Sequence, residues 1–160
     1  MEQQEPSANL KPSANAKPSA NAKPSVVLEQ FLQQHPDIEI FEVLLHDLNG
    51  IQRGKWLPRE QISKLFNGGY KMPQSTCSMD SWGRDLEELV AATGDSDGVC
   101  QPHISTLALV PWADRPTAQI IVSMGSFTGD EPYLGDCRAV LANILERFDK
   151  LGLTPVVASE

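Results

Sequence analysis

An α+β fold whose mixed sheet is entered through a hairpin is what the sequence predicts, and three observations carry that reading. The β-rich run IEIFEVLLHDL is followed by Asn49 and Gly50 and then by IQRGKWLP, the pattern of two antiparallel strands joined by a tight turn. Far downstream, TAQIIVSMGSF alternates so that Ala118, Ile120, Val122 and Met124 share one face. Between and after these runs, REQISKLFNGG and CRAVLANILERFDKLG repeat their apolar residues at helical spacing.

The elements follow in chain order. From Pro6 to Ser25 the chain repeats a six-residue unit, PSANL then KPSANA, KPSANA and KPS. Its prolines and lack of apolar residues predict a disordered arm over 1–25. Ser25 reads as the cap of a helix in which Val27, Leu28, Phe31 and Leu32 share a face and Pro36 stops the turn. The next run reads as a central strand, with Ile40, Val43, Leu44 and Leu45 apolar toward both faces. Asn49-Gly50 predicts a two-residue type I′ turn with positive φ at both positions. Ile62, Leu65 and Phe66 then make a helical stripe ended by Gly68, and TLALVPW and TAQIIVSMGSF read as further strands. Asp136 caps a long helix whose face is Val140, Leu141, Ile144, Leu145, Phe148 and Leu151, closed by Gly152 and followed by a strand, TPVVAS. A mixed sheet wrapped around one helix and entered by a hairpin is the β-grasp (ubiquitin-like) arrangement.

Composition excludes several functions. A net charge of -8 is unsuited to gripping a phosphate backbone, and the one basic cluster, Arg53 to Lys55, is too short for a nucleic-acid or membrane patch. No nucleic acid and no membrane are expected as partners. Cys77, Cys100 and Cys137 are odd in number and widely spaced, which fits a reducing compartment rather than a disulfide framework. Cys100 and His103 could offer zinc two ligands, but no second pair follows. The segment GDSDG lacks the glycine placement of a calcium loop and has Thr106 where a bidentate glutamate is needed, so it reads as a turn. With no long apolar span and no apolar leader, the expected location is cytoplasmic.

Three blocks, HDLNGIQRGKWLP, PWADRPTAQIIV and GDCRAVLANILERFDKLGLTPVVASE, resemble the N-terminal part of the glutamine synthetase superfamily, closest in character to its γ-glutamylputrescine and γ-glutamylpolyamine synthetases. That branch carries D-x-N-G-x-x-R-G-K, met here by Asp47, Asn49, Gly50, Arg53, Gly54 and Lys55. The resemblance implies a β-grasp domain over 26–135 and, over 136–160, the first helix and strand of a truncated catalytic domain. It implies ATP and Mg²⁺ or Mn²⁺ for the full-length family and no cofactor within this chain. Asp136 and Arg138 match a D-P-R helix start, with Cys137 in place of the proline, and Glu160 matches the first of two metal-binding glutamates. In that reading Glu160 is a metal ligand only in a full-length context, because one carboxylate supplies too few of the six ligands Mg²⁺ requires.

In glutamine synthetases proper, this domain supplies an aspartate and a nearby tryptophan that handle ammonium at a neighbouring subunit's site. Here Gln74 falls at the aspartate position, and Trp82 within one residue of the tryptophan position. The resemblance therefore implies an organic amine or polyamine as acceptor, and a chain inactive by itself. Arg53, Asp80 and Trp82 are the candidates for substrate or subunit contact, set against the plainer readings of a strand edge, a loop carboxylate and a packed ring. Partners are then copies of itself or paralogous subunits. The alternative is a stand-alone β-grasp interaction module that assembles with intact paralogues.

Overall fold

The computed structural model describes residues 23–158, so the repeat arm up to Ala22, and Glu160 with it, lie outside the described residues. Six strands form one mixed sheet: β1 (Ile40–His46), β2 (Gln52–Pro58), β3 (Lys71–Pro73), β4 (Asp97–Pro102), β5 (Ala108–Leu109) and β6 (Thr117–Met124). Their order is β2-β1-β6-β4-β3, with β5 pairing β6 off this path. The β1–β2 and β4–β6 pairs are antiparallel, and β1 and β6 run parallel at the centre.

The alternation in β6 is realised fully: Ala118, Ile120, Val122 and Met124 are all buried. Strand β1 departs from the reading of two apolar faces. Phe41, Val43 and Leu45 are buried on one side, whereas Ile40 and Leu44 on the other are half-buried, so a central position in the sheet here covers one face only. Against the inner face pack Leu28 of α1 (Pro24–Gln34) and Ile62 and Leu65 around the short α2 (Ser63–Phe66), with Met72, Cys77 and Cys100 completing the core.

Helix α1 begins one residue before the expected cap. Pro24 occupies its first turn, where a missing N–H costs nothing, and Ser25 lies inside. Its far end is held by Arg59, whose guanidinium donates to the carbonyls of Leu32 and His35 at 2.8 Å each. Those carbonyls are among the groups a helix C-terminus leaves unpaired.

Three elements escape the pattern reading. β3 is too short and ends in proline, α3 (Glu87–Thr93) has no apolar period, and β4 runs through residues read as a turn. Gly98 explains the last case: a Cβ there would lie 2.3 Å from Met124 Sδ and 2.5 Å from the Gly125 carbonyl, so glycine marks close strand approach as well as turning. Conversely, the expected strand TLALVPW shrinks to β5, and residues 153–158 form no strand.

Helix α4 (Cys137–Lys150) starts as expected at Asp136, whose carboxylate accepts from the Arg138 amide at 2.8 Å. The other carboxylate oxygen accepts from the Met124 amide at 2.6 Å, fastening the helix start to the end of β6. Beyond that point contact fades. Ala139 is its one buried residue, while Val140, Leu141, Ile144, Leu145 and Phe148 are exposed. The apolar stripe is thus present on the helix but does not pack against the sheet.

Candidate functional site

The hairpin joining β1 to β2 is where the motif residues converge. His46 pairs with Gln52, so the connection is the five-residue stretch Asp47 to Ile51 rather than a two-residue turn. Gly50 has φ +74°, but Asn49 does not adopt a positive φ, which excludes the type I′ geometry. A side chain takes over the work of the turn. Asp47 Oδ1 accepts from the amides of Asn49 and Ile51, each at 2.9 Å, and the Gly50 amide donates to the Asp47 carbonyl at 3.0 Å.

Asp47 is only 1% exposed, and a buried carboxylate is tolerated when donors surround it. Its Oδ2 receives the Arg53 Nε–H at 2.9 Å. Burial pushes the Asp47 carboxyl up, yet the Ile51 amide, the Arg53 guanidinium and the Asn49 amide together hold it below the usual carboxylate range.

From this tip the hairpin reaches a second loop. Leu48 N–H donates to the Cys77 carbonyl at 3.0 Å, the Asn49 amide side chain to the Met79 carbonyl at 2.8 Å, and Arg53 Nη2–H to the Asp80 carbonyl at 3.2 Å. Gly83, at φ +80°, lies close to the guanidinium; a Cβ there would sit 2.9 Å from Arg53 Nη1. The sequence candidates Arg53 and Asp80 are therefore brought together, and Trp82 stands on the same loop.

Asp80 organises its own turn. One carboxylate oxygen accepts from the amides of Trp82 at 2.8 Å and Arg84 at 2.9 Å, and the other from Arg84 Nε–H at 2.8 Å. The Arg84 amide, then its side chain and the Trp82 amide, hold the Asp80 carboxyl below its ordinary range despite some desolvation. Trp82 is 80% exposed and meets the Arg84 guanidinium at 5.3 Å, within cation–π range. An indole this open is not a core ring; the loop displays it.

Gln74 is buried at the start of this segment. Its backbone N–H donates to the Ser96 carbonyl at 3.1 Å, and its side-chain oxygen accepts from Ser96 Oγ at 3.3 Å. Cys100 lies in the core and His103 bonds Ser123 at 2.6 Å, so that pair is engaged elsewhere. Among the described residues, no group of three or more His, Cys, Asp or Glu is placed to hold a metal ion. No helix among them is long and apolar enough to cross a membrane.

Arg53 and Asp80 each stand out in the sequence, but the contact between them does not. The signal was available in the acid at the hairpin mouth, the arginine six residues on, and the glycine at position 83.

The fold of this mixed sheet is found in solved structures. The chain superposes on the GmaS/ADP complex in its conformation 1 with a TM-score of 0.59 at 22% identity, over 78% of this chain and 26% of that one. Apo GmaS without ligand gives 0.56 at 21% identity, over 76% and 25%. In sequence, the chain is 34% identical over 137 residues to gamma-glutamylputrescine synthetase PuuA of Escherichia coli, covering 83% of this chain and 28% of that protein. It is 31% identical to human lengsin, over 68% of this chain and 21% of lengsin, and 29% identical to the glutamine synthetase of Thermococcus kodakarensis, over 71% and 23%. No protein-family model matches. The chain belongs to the glutamine synthetase superfamily, and it spans about a quarter of the length of the relatives it matches.

Proposed function

We propose that this chain is the N-terminal β-grasp part of a glutamine synthetase-like ligase, which joins the γ-carboxylate of glutamate to an organic amine or polyamine in the cytoplasm. The observation that carries the reading is the docked loop: its bonds fix the backbone around Asp80 while Trp82 is left to solvent, an arrangement suited to meeting another subunit. The hairpin-entered sheet with its central parallel pair supports the β-grasp assignment.

The acceptor follows from Gln74. An ammonium ion needs a carboxylate to bind it and take its proton, whereas the Gln74 amide is neutral and already occupied by Ser96. An amine on a carbon chain is recognised through that chain as well. The parent reaction phosphorylates the γ-carboxylate with ATP and then lets the amine displace phosphate from the acyl phosphate. Mg²⁺ or Mn²⁺ and ATP would be held by the remainder of such a protein, with Glu160 the one candidate ligand in this chain. The role of Arg53, Asp80 and Trp82 is to shape and present the covering loop.

The purified chain is expected to show no ATP-dependent glutamyl transfer to ammonia, hydroxylamine or putrescine above a heat-killed control. Turnover with any of the three overturns the reading. The exposed stripe of α4 favours a second reading, an interaction module that assembles with intact paralogues. Co-purification with an intact paralogue that leaves the paralogue's turnover unaltered would favour that module over a catalytic part.

A further inference from the structure

We propose that Asp47 and Arg53 are positioning residues whose joint task is to set the loop from Met79 to Arg84, and with it the place where Trp82 is displayed. This rests on the reading that the loop meets a neighbouring subunit, but its structural content stands apart from that reading.

Arg53 leaves a strand edge and would ordinarily extend into water. Instead Asp47 holds its Nε at 2.9 Å, which orients the guanidinium plane, and Nη2 then donates to the Asp80 carbonyl at 3.2 Å. That same carbonyl accepts from the Gly83 amide at 2.9 Å, so the bracket and the loop's own turn close on one oxygen. Gly83 has no side chain to push the guanidinium away. Two residues beyond the held carbonyl, the Trp82 amide is bonded to the Asp80 carboxylate at 2.8 Å. A chain of short contacts therefore runs from a buried carboxylate to an exposed indole. Asn49, donating to the Met79 carbonyl at 2.8 Å, fixes the other side of the loop.

Lysine at position 53 would keep the charge but could not serve Asp47 and the Asp80 carbonyl with one rigid plane. The motif's arginine is thus read as a geometric requirement. Lys55, exposed on the same strand, has no part in the bracket.

Site-resolved amide hydrogen exchange on the full chain tests this, comparing wild type with Arg53→Lys, Gly83→Ala and the control Lys55→Ala. In Arg53→Lys the Asp80 and Gly83 amides are expected to lose roughly tenfold or more in protection, while the β1 and β6 amides change by less than about twofold. Gly83→Ala, strained at φ +80° whatever Arg53 does, opens the loop from within and serves as the reference pattern for a released loop over an intact sheet. Lys55→Ala should leave both sets unchanged. Unchanged loop protection in Arg53→Lys overturns the proposal, and so does a parallel loss across loop and sheet, which would make Arg53 a support of the fold as a whole. A selective loop effect in a chain that never co-assembles with intact relatives would uphold the bracket and count against the proposed function instead.

Discussion

The sheet and helix α4 each carry a clear apolar face, yet the chain treats the two oppositely. Phe41, Val43, Leu45, Ile120, Val122 and Met124 are closed off from water, while Leu141, Ile144 and Phe148 face it. Periodicity identifies which face of an element is apolar; it does not say whether the partner for that face is among the described residues. In β6 the partner is present, because Leu28 of α1 and Ile62 and Leu65 around α2 share its core. In α4 the helix is fastened at Asp136 and then departs, with Ala139 turned toward the domain and the large side chains turned away.

The widest separation between the two regions should appear in stability. Phe41→Ala is expected to cost about 3–5 kcal/mol, the usual toll of emptying a buried aromatic site. Phe148→Ala, already 37% exposed, should cost less than about 1 kcal/mol. Chemical denaturation of both variants measures this, and equal losses would place α4 inside the cooperative core.

The next difference is in association. Val140, Leu141, Ile144, Leu145 and Phe148 leave one open apolar stripe on α4, a surface that two copies can bury against each other. Light scattering at tens of micromolar is expected to show self-association that the double variant Leu141→Glu, Phe148→Lys removes. A monodisperse, monomeric wild type would exclude the stripe as a self-association surface at that concentration.

How much of this was legible beforehand depended on the kind of signal. The inward set of β6 and the cap at Asp136 were readable because each rests on a local rule, alternation or a side-chain acceptor at a helix start. The bracket was not, since Arg53 and Asp80 are brought together by a fold contact between distant segments. Strand β4 was hidden by Gly98, whose turn-like character comes from crowding against Met124. The type I′ expectation failed because the Asp47 side chain supplies the hydrogen bonds that the shorter turn would have made through its backbone.

A smaller contrast is electrostatic. Asp47 titrates below its ordinary range when folded, so its contribution is present above the unfolded carboxylate value and is lost as pH falls through the lower folded one. Thermal melts should show stability declining below about pH 4, and Asp47→Asn should be less stable at neutral pH with a flatter acid limb. An unchanged acid limb in that variant would exclude Asp47 as the titrating group.

The smallest effect concerns the thiols. Burial pushes Cys77 and Cys100 up to about 12, so both stay protonated and unreactive toward alkylating reagents at pH 8 in the native state. Labelling followed by mass spectrometry should find modification at half-buried Cys137 first. Early modification of Cys100 would mean that the sheet opens on the labelling timescale.

The double grip of Asp136 also has a mechanical side. One carboxylate holds the last amide of β6 and the first turn of α4, which makes it a pivot with a rod of about 21 Å attached. A tilt of about 10° at that pivot carries the far end of the rod through roughly 4 Å, about the width of a methyl group, without breaking a bond inside the helix. Whatever seizes the apolar stripe therefore pulls on a lever whose fulcrum is the Met124 amide, and the central strand of the sheet is the first part of the domain to register the load.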